Sequence, residues 1–173
     1  MKNIHIPVAV AFSALSLLLG GCGYRCGNLM HPQIKTVAIA PVVNETLAYN
    51  AAPQVRALLC ERFQTDGSLK LVDEKNADCI VYARVTNVRY NEVSWSKTMD
   101  DDKFEPNQWR VSISIQYTVM LPGRANPLIN QRDVSGSALF TSGPDLEISR
   151  SSALRQAAFE ASKNIVTSVT EAW

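Results

Sequence analysis

The chain has 173 residues, 46% of them hydrophobic, and a formal net charge of +1. That is enough length and apolar content for one domain with its own core. A charge so close to zero gives no field to draw in nucleic acid, and past Leu19 no apolar run is long enough to span a bilayer.

From Ile4 to Leu19 the residues are nearly all apolar or small, after a single charge at Lys2. The run is shorter than the roughly 20 residues a membrane span needs, and Pro7 inside it disfavours a stable helix. A basic start, a short apolar stretch and small residues at the exit describe a secretory signal. The exit, Leu19-Gly20-Gly21-Cys22, resembles the lipobox of bacterial lipoproteins, where cleavage precedes the cysteine and its thiol carries a diacylglycerol. Residues 1–21 are thus expected to be a lipoprotein signal peptide and Cys22 the lipid-attachment residue. Cys26 fits less well, because Arg25 would sit just before the cut. One acyl chain anchors marginally, at about 0.8 kcal/mol per buried methylene, and stable anchoring takes a second. By resemblance to sorting in enteric bacteria, Gly23 where an aspartate could stand favours the outer membrane.

Loss of the signal removes only Lys2 among the charges and leaves 16 basic and 16 acidic residues. Cys26, Cys60 and Cys79 remain, an odd number for an oxidising compartment. The expectation is two small buried residues in the domain and one thiol in the tail. Residues 22–32, "CGYRCGNLMHP", have no period and read as a lipid-anchored tether, followed by a domain at 33–173.

"KTVAIAPVVN", 35–44, is rich in β-branched residues and reads as a strand buried on both faces, ended by Pro41 and Asn44. A helix is predicted over 51–65, with Pro53 in its first turn and Ala52, Val55, Leu59 and Phe63 on one face. Asp66-Gly67 stops it, and "LKLV", 69–72, forms a second strand. In 78–95, Cys79, Val81, Ala83 and Val85 fall on one face, and Ile80, Tyr82, Val88 and Tyr90 on the other. "TMDDDKFEPN", 98–107, reads as a charged loop.

The clearest signal follows. Over 109–121, Trp109, Val111, Ile113, Ile115, Tyr117, Val119 and Leu121 alternate with Arg110, Ser112, Ser114, Gln116, Thr118 and Met120, the pattern of an antiparallel strand with one buried face. After the turn at 122–127, the more polar strand 128–140 belongs at a sheet edge. From Leu146 to Ala172 the chain reads as a helix with the stripe Leu154, Ala158, Ala161, Ile165, Val169 and Ala172. The fold class is α+β, a two-layer sandwich with two helices on one face of a four- or five-stranded mixed sheet. The strands flanking the first helix form a parallel pair.

Cys22-Gly23-Tyr24, "TVAIAPVVNET" at 36–46, "ADCIVYARV" at 77–85, the alternating strand at 109–121 and the C-terminal helix ending in Trp173 together resemble the lipopolysaccharide-assembly lipoprotein family, LptE. Cys26 departs from a plain "CGY" start. The resemblance implies an outer-membrane lipoprotein that plugs the LptD translocon β-barrel, helps it assemble, and helps pass lipopolysaccharide to the outer leaflet. It implies no enzyme activity and no cofactor. Its partners would be the barrel, lipopolysaccharide and the membrane through the lipid anchor. The same segments, with "DGSLKLVD", also resemble activator lipoproteins of peptidoglycan synthases and curli-secretion lipoproteins.

The residues agree with a non-enzymatic role. His5 leaves with the signal, and a Cys26–His31 pair in the tether is the sole nucleophile–base candidate, without a third member. No phosphate loop or metal-ligand spacing occurs. Asp100-Asp101-Asp102 read as a solvated loop rather than a cation site. Lys97, Lys103 and Arg124 stand near strand ends as candidates for lipid A phosphates, with ordinary surface charge as the alternative. Arg110, Ser112, Ser114, Gln116 and Thr118 are candidates to face a water-filled barrel lumen, with a plain solvent-facing sheet as the alternative.

Overall fold

The computed structural model describes residues 34–97, 104–141 and 145–171. The signal peptide, Cys22, Cys26, His31, the rest of the tether and Lys103 lie outside the described residues. The elements in chain order are β1 (Thr36–Ile39), β2 (Val43–Asn44), α1 (Ala51–Asp66), β3 (Lys70–Leu71), a 3-10 turn (Glu74–Asn76), β4 (Cys79–Lys97), β5 (Phe104–Met120), β6 (Ile129–Thr141) and α2 (Leu146–Glu171).

The sheet order is β3-β1-β4-β5-β6, with β2 also beside β4. β1 is parallel to both β3 and β4, while β4, β5 and β6 are antiparallel. This is the expected mixed sheet, with the 129–141 strand at its edge and the strands around α1 parallel. Its strand count is six rather than four or five. The extra piece is β2, which resumes pairing past Pro41 at Arg84 and Val85 of β4.

Both helices pack on one face of the sheet. α1 stops at Gly67, whose φ of 69° lets its N–H donate to Phe63 O at 3.1 Å. Its Ala52, Val55, Leu59 and Phe63 are buried, as their spacing predicts. α2 begins where Asp145 Oδ1 accepts the Ile148 N–H at 3.0 Å, an N-cap contact. Its stripe Leu154, Ala158, Ala161, Ile165 and Val169 is buried against the sheet. From the sheet, Val111, Ile113, Ile115, Tyr117 and Val119 complete the core. Each such large side chain contributes about 1.5–3 kcal/mol of burial. The Tyr117 O–H escapes an unpaired burial by donating to Ser168 Oγ at 2.6 Å.

Three local expectations are corrected. First, strict alternation does not hold along β4. Val85 faces Ile115 and Asn87 faces Ser114, so β4 carries one extra residue, Thr86. Val88 and Tyr90 therefore pair with Ile113 and Val111 and join the same core as Val81 and Val85. Second, Phe104–Asn107 is strand rather than loop, since pairing with Ser94–Lys97 prolongs the hairpin and a register shift beside Ser94 accommodates Pro106. Third, Cys79 is buried but Cys60 is only half-buried, because it sits at the margin of the apolar face of α1.

The β4–β5 hairpin outruns the helices. α2 has 26 residues and spans about 39 Å at about 1.5 Å per residue. β4 has 19 residues, roughly 60 Å at about 3.3 Å per residue. Its far part exposes Val93 and Trp95.

Candidate functional site

Alternation along β5 puts Arg110, Ser112, Ser114, Gln116 and Thr118 together on the face away from both helices. Arg110 is exposed and the other four are half-buried among neighbouring strands. β6 adds Ser137 opposite Ser112, Ser135 opposite Ser114 and Asp133 opposite Gln116. Gln116 Nε2 donates to Asp133 Oδ1 at 3.1 Å. The Thr86 bulge turns Arg89 onto the same face, opposite Ser112. Reading β4 with an uninterrupted period of two puts Arg89 on the wrong side. No sequence signal marks the bulge, which is defined by the register with β5.

This face is not uniformly polar. Tyr82 lies on it opposite Thr118, and Leu139 opposite Arg110, both exposed. Near β1 it carries a small buried cluster of Ala38, Ala40, Ala77 and Ile80.

The sequence-nominated cations do not gather. Lys97 pairs with Phe104 at the hairpin end of β4. Arg124 is exposed in the turn at the other end of β5, its N–H donating to Leu121 O at 3.1 Å. The 17 residues of β5 separate these two positions by roughly 50 Å, so they cannot share one ligand.

A second feature is a cleft of about 1060 Å³ between the 45–50 segment, β4 and the start of α2. Leu47, Tyr49 and Ile148 on its lining are strongly exposed. Two of the three carboxylates on its lining, Glu45 and Glu147, are ion-paired, and the third, Asp145, caps α2. Glu45 pairs with Arg84 at 3.3 Å and Glu147 with Arg150 at 3.2 Å. Arg150 also lies 5.7 Å over the ring of Tyr90. Burial pushes the Tyr90 phenol up, against the opposing charge of Arg150. The buried Gln54 Oε1 in this cleft has no hydrogen-bond partner among the described residues.

Neither surface assembles a reacting group with a base. Among the described residues no three His, Cys, Asp or Glu side chains group to hold a metal. No helix among them is long and apolar enough to cross a membrane.

In fold, the chain is similar to several bacterial proteins of known structure, lipoproteins among them. A minor lipoprotein from Acinetobacter baumannii superposes with a TM-score of 0.52 at 9% identity, over 79% of this chain and 93% of that one. PelC from Paraburkholderia phytofirmans, solved as a dodecamer, gives 0.50 at 14% identity, over 83% and 95%. A protein from Xanthomonas campestris gives 0.56 at 9%, over 81% and 88%. At such identities the likeness is one of fold. No protein-family model matches the sequence, and no curated protein is significantly similar to it.

Proposed function

We propose that this chain is a non-enzymatic outer-membrane lipoprotein, acylated at Cys22, that plugs and helps assemble an LptD-like β-barrel and assists insertion of lipopolysaccharide. The observation that carries the reading is the second face of the sheet. It is left bare by both helices and carries the polar row Arg110, Ser112, Ser114, Gln116 and Thr118 along the middle of β5. Such a face keeps the domain soluble alone and suits a hydrated lumen. The fold shared with lipoproteins and the Leu19-Gly20-Gly21-Cys22 exit supply the anchor side of the argument.

The fold shared with dodecameric PelC favours a second reading, a lipoprotein that forms a ring or docks on a periplasmic synthase. Affinity purification of the acylated chain from its own membranes separates the two. A co-purifying barrel of the translocon type supports the first. A homo-oligomeric ring or a murein synthase replaces it with the second. On the plug reading, Ser112→Glu with Gln116→Glu leaves the soluble domain folded and reduces barrel recovery, since charge and bulk enter a confined lumen unpaired. Wild-type recovery by that folded variant would return this face to plain solvent surface.

A further inference from the structure

Arg89 and Arg110 lie on the uncovered face and are diagonal neighbours. Arg89 is opposite Ser112, and Arg110 is opposite Asn91, two positions further along both strands. Both are exposed, and neither has an ion-pair partner among the described residues. The remaining guanidinium on this face, Arg84, is paired with Glu45. Asp133, the carboxylate of β6 on this face, lies beside Gln116, four residues from the row of Arg89 along β5 and β6. Glu160 of α2 accepts the Ser137 N–H at 2.7 Å at the outer edge of β6, with two strands between it and Arg89. Among the described residues, this half of the face therefore carries two cations without an ion-pair partner.

Beside them is a floor of hydroxyls. Ser112 faces Ser137 and Ser114 faces Ser135 across the β5–β6 ladder. Four short side chains in two adjacent rows leave a shallow trough next to the arginines. A facing strand could approach such a trough more closely than the usual sheet-to-sheet separation of about 10 Å.

We propose that this half of the face docks a β-strand surface of a protein partner that presents carboxylates at alternate positions. Spacing selects that occupant. Diagonal neighbours in an antiparallel pair stand about 7–8 Å apart. Alternate side chains on one face of a strand repeat at roughly 7 Å. Each guanidinium can thus take its own carboxylate as a bidentate pair, while the serine floor accommodates the backbone and intervening side chains. A lone phosphate, by contrast, calls for donors converging on one point, and the open, flat ladder does not provide that. The inference rests on the reading of this face as a partner surface, but not on the partner's being a translocon.

The test places a photo-reactive benzoylphenylalanine at Ser114, in the trough, in the full acylated chain expressed in its own cells. Illumination is expected to yield an adduct with a protein. Arg89→Glu with Arg110→Glu is expected to lower that adduct by about tenfold or more, because like charges then face each other. The melting temperature of the soluble domain should be unchanged. If the Glu pair fails to fold, Arg89→Gln with Arg110→Gln is read in the same way. An adduct with lipid alone, no protein adduct, or a yield indifferent to both arginines overturns the proposal. A charge-dependent adduct with a protein that is not a barrel sinks the plug reading and leaves this one standing. A barrel adduct that ignores both arginines does the reverse.

Discussion

Thr36 and Asp78 clasp each other across the start of the sheet: the Thr36 N–H donates to Asp78 Oδ2 and the Asp78 N–H donates to Thr36 Oγ1, both at 2.9 Å. The same carboxylate accepts the Lys35 N–H at 2.9 Å. The clasp sits where β1 enters the sheet beside β4, so it fixes the first parallel register, Val37 opposite Cys79.

Acid should loosen that clasp. Hydrogen bonds from the Lys35 backbone first, then from Thr36, hold the Asp78 carboxyl below its ordinary 3.8. A lowered folded-state value means the unfolded chain binds the proton first. Its stabilisation is therefore complete above the unfolded value and is lost as pH falls through the folded one. Asp78→Asn should be less stable than wild type near neutrality, and the gap should shrink between neutral pH and acid pH below 3.8. Urea midpoints of both proteins across that range check this. A gap that stays constant would mean that the charge contributes nothing.

The two described thiols should differ in reactivity. Cys79 is buried on β4 beside β1, its S–H directed at Thr36 O at 3.6 Å. Burial, with the Asp78 charge second, pushes its thiol up to about 12 from 9.0. Cys60 is half-buried on α1. A water-soluble alkylating reagent should modify Cys60 in the native protein and Cys79 only after unfolding. Because the Cys79 value is raised in the folded state, its contribution to stability is present below about 9 and drains away as pH climbs toward about 12. Peptide mass mapping after labelling decides it, and equal native rates would place Cys79 at the surface.

The uneven legibility of this fold follows from how far each signal reaches along the chain. The stripes on α1 and α2 and the alternation of β5 are local patterns repeated many times, and each lands on the buried set it predicts except at its ends, where Trp109 and Leu121 are half-buried and Ala172 lies outside the described residues. The Thr86 bulge is a relation between β4 and β5, so the side on which Val88, Arg89 and Tyr90 fall depends on a partner strand far along the chain. For the same reason the polar row 110–118 was visible and the second arginine beside it was not. β2 is two residues long, too short to show any period. The 104–107 segment, with its proline and asparagine, has the composition of a loop and is strand because Ser94–Lys97 offers it a ladder.

Gly136 is where β6 and α2 touch. A Cβ there would collide with the backbone carbonyl of Ala157 and come within 2.6 Å of the Ala161 nitrogen. Both obstacles are helix backbone and cannot swing aside. Gly136→Ala should therefore cost about 3 kcal/mol or more, at the upper end for overpacking. The matching change Ser135→Ala, on the other face, should shift stability by less than about 0.5 kcal/mol. Denaturant unfolding of both variants tests the assignment. A Gly136→Ala protein as stable as wild type would show that α2 rides further from the edge strand.

The two faces of β5 can be separated by one chemical change made at adjacent positions. Ile113 is fully buried between Val88 of β4 and Gly136 of β6, so Ile113→Asp puts a carboxylate among side chains that offer it no donor. An uncompensated buried charge costs several kcal/mol, a large part of the roughly 5–15 kcal/mol that holds a domain folded. Ser114 is half-buried on the other face, between Asn87 and Ser135. There water and neighbouring polar groups can solvate a carboxylate, so Ser114→Asp should cost less than about 1 kcal/mol. Circular dichroism melting of the soluble domain should then show no cooperative transition for Ile113→Asp and a near wild-type one for Ser114→Asp. Equal losses would mean that both faces are packed, and neither would then be available to a partner.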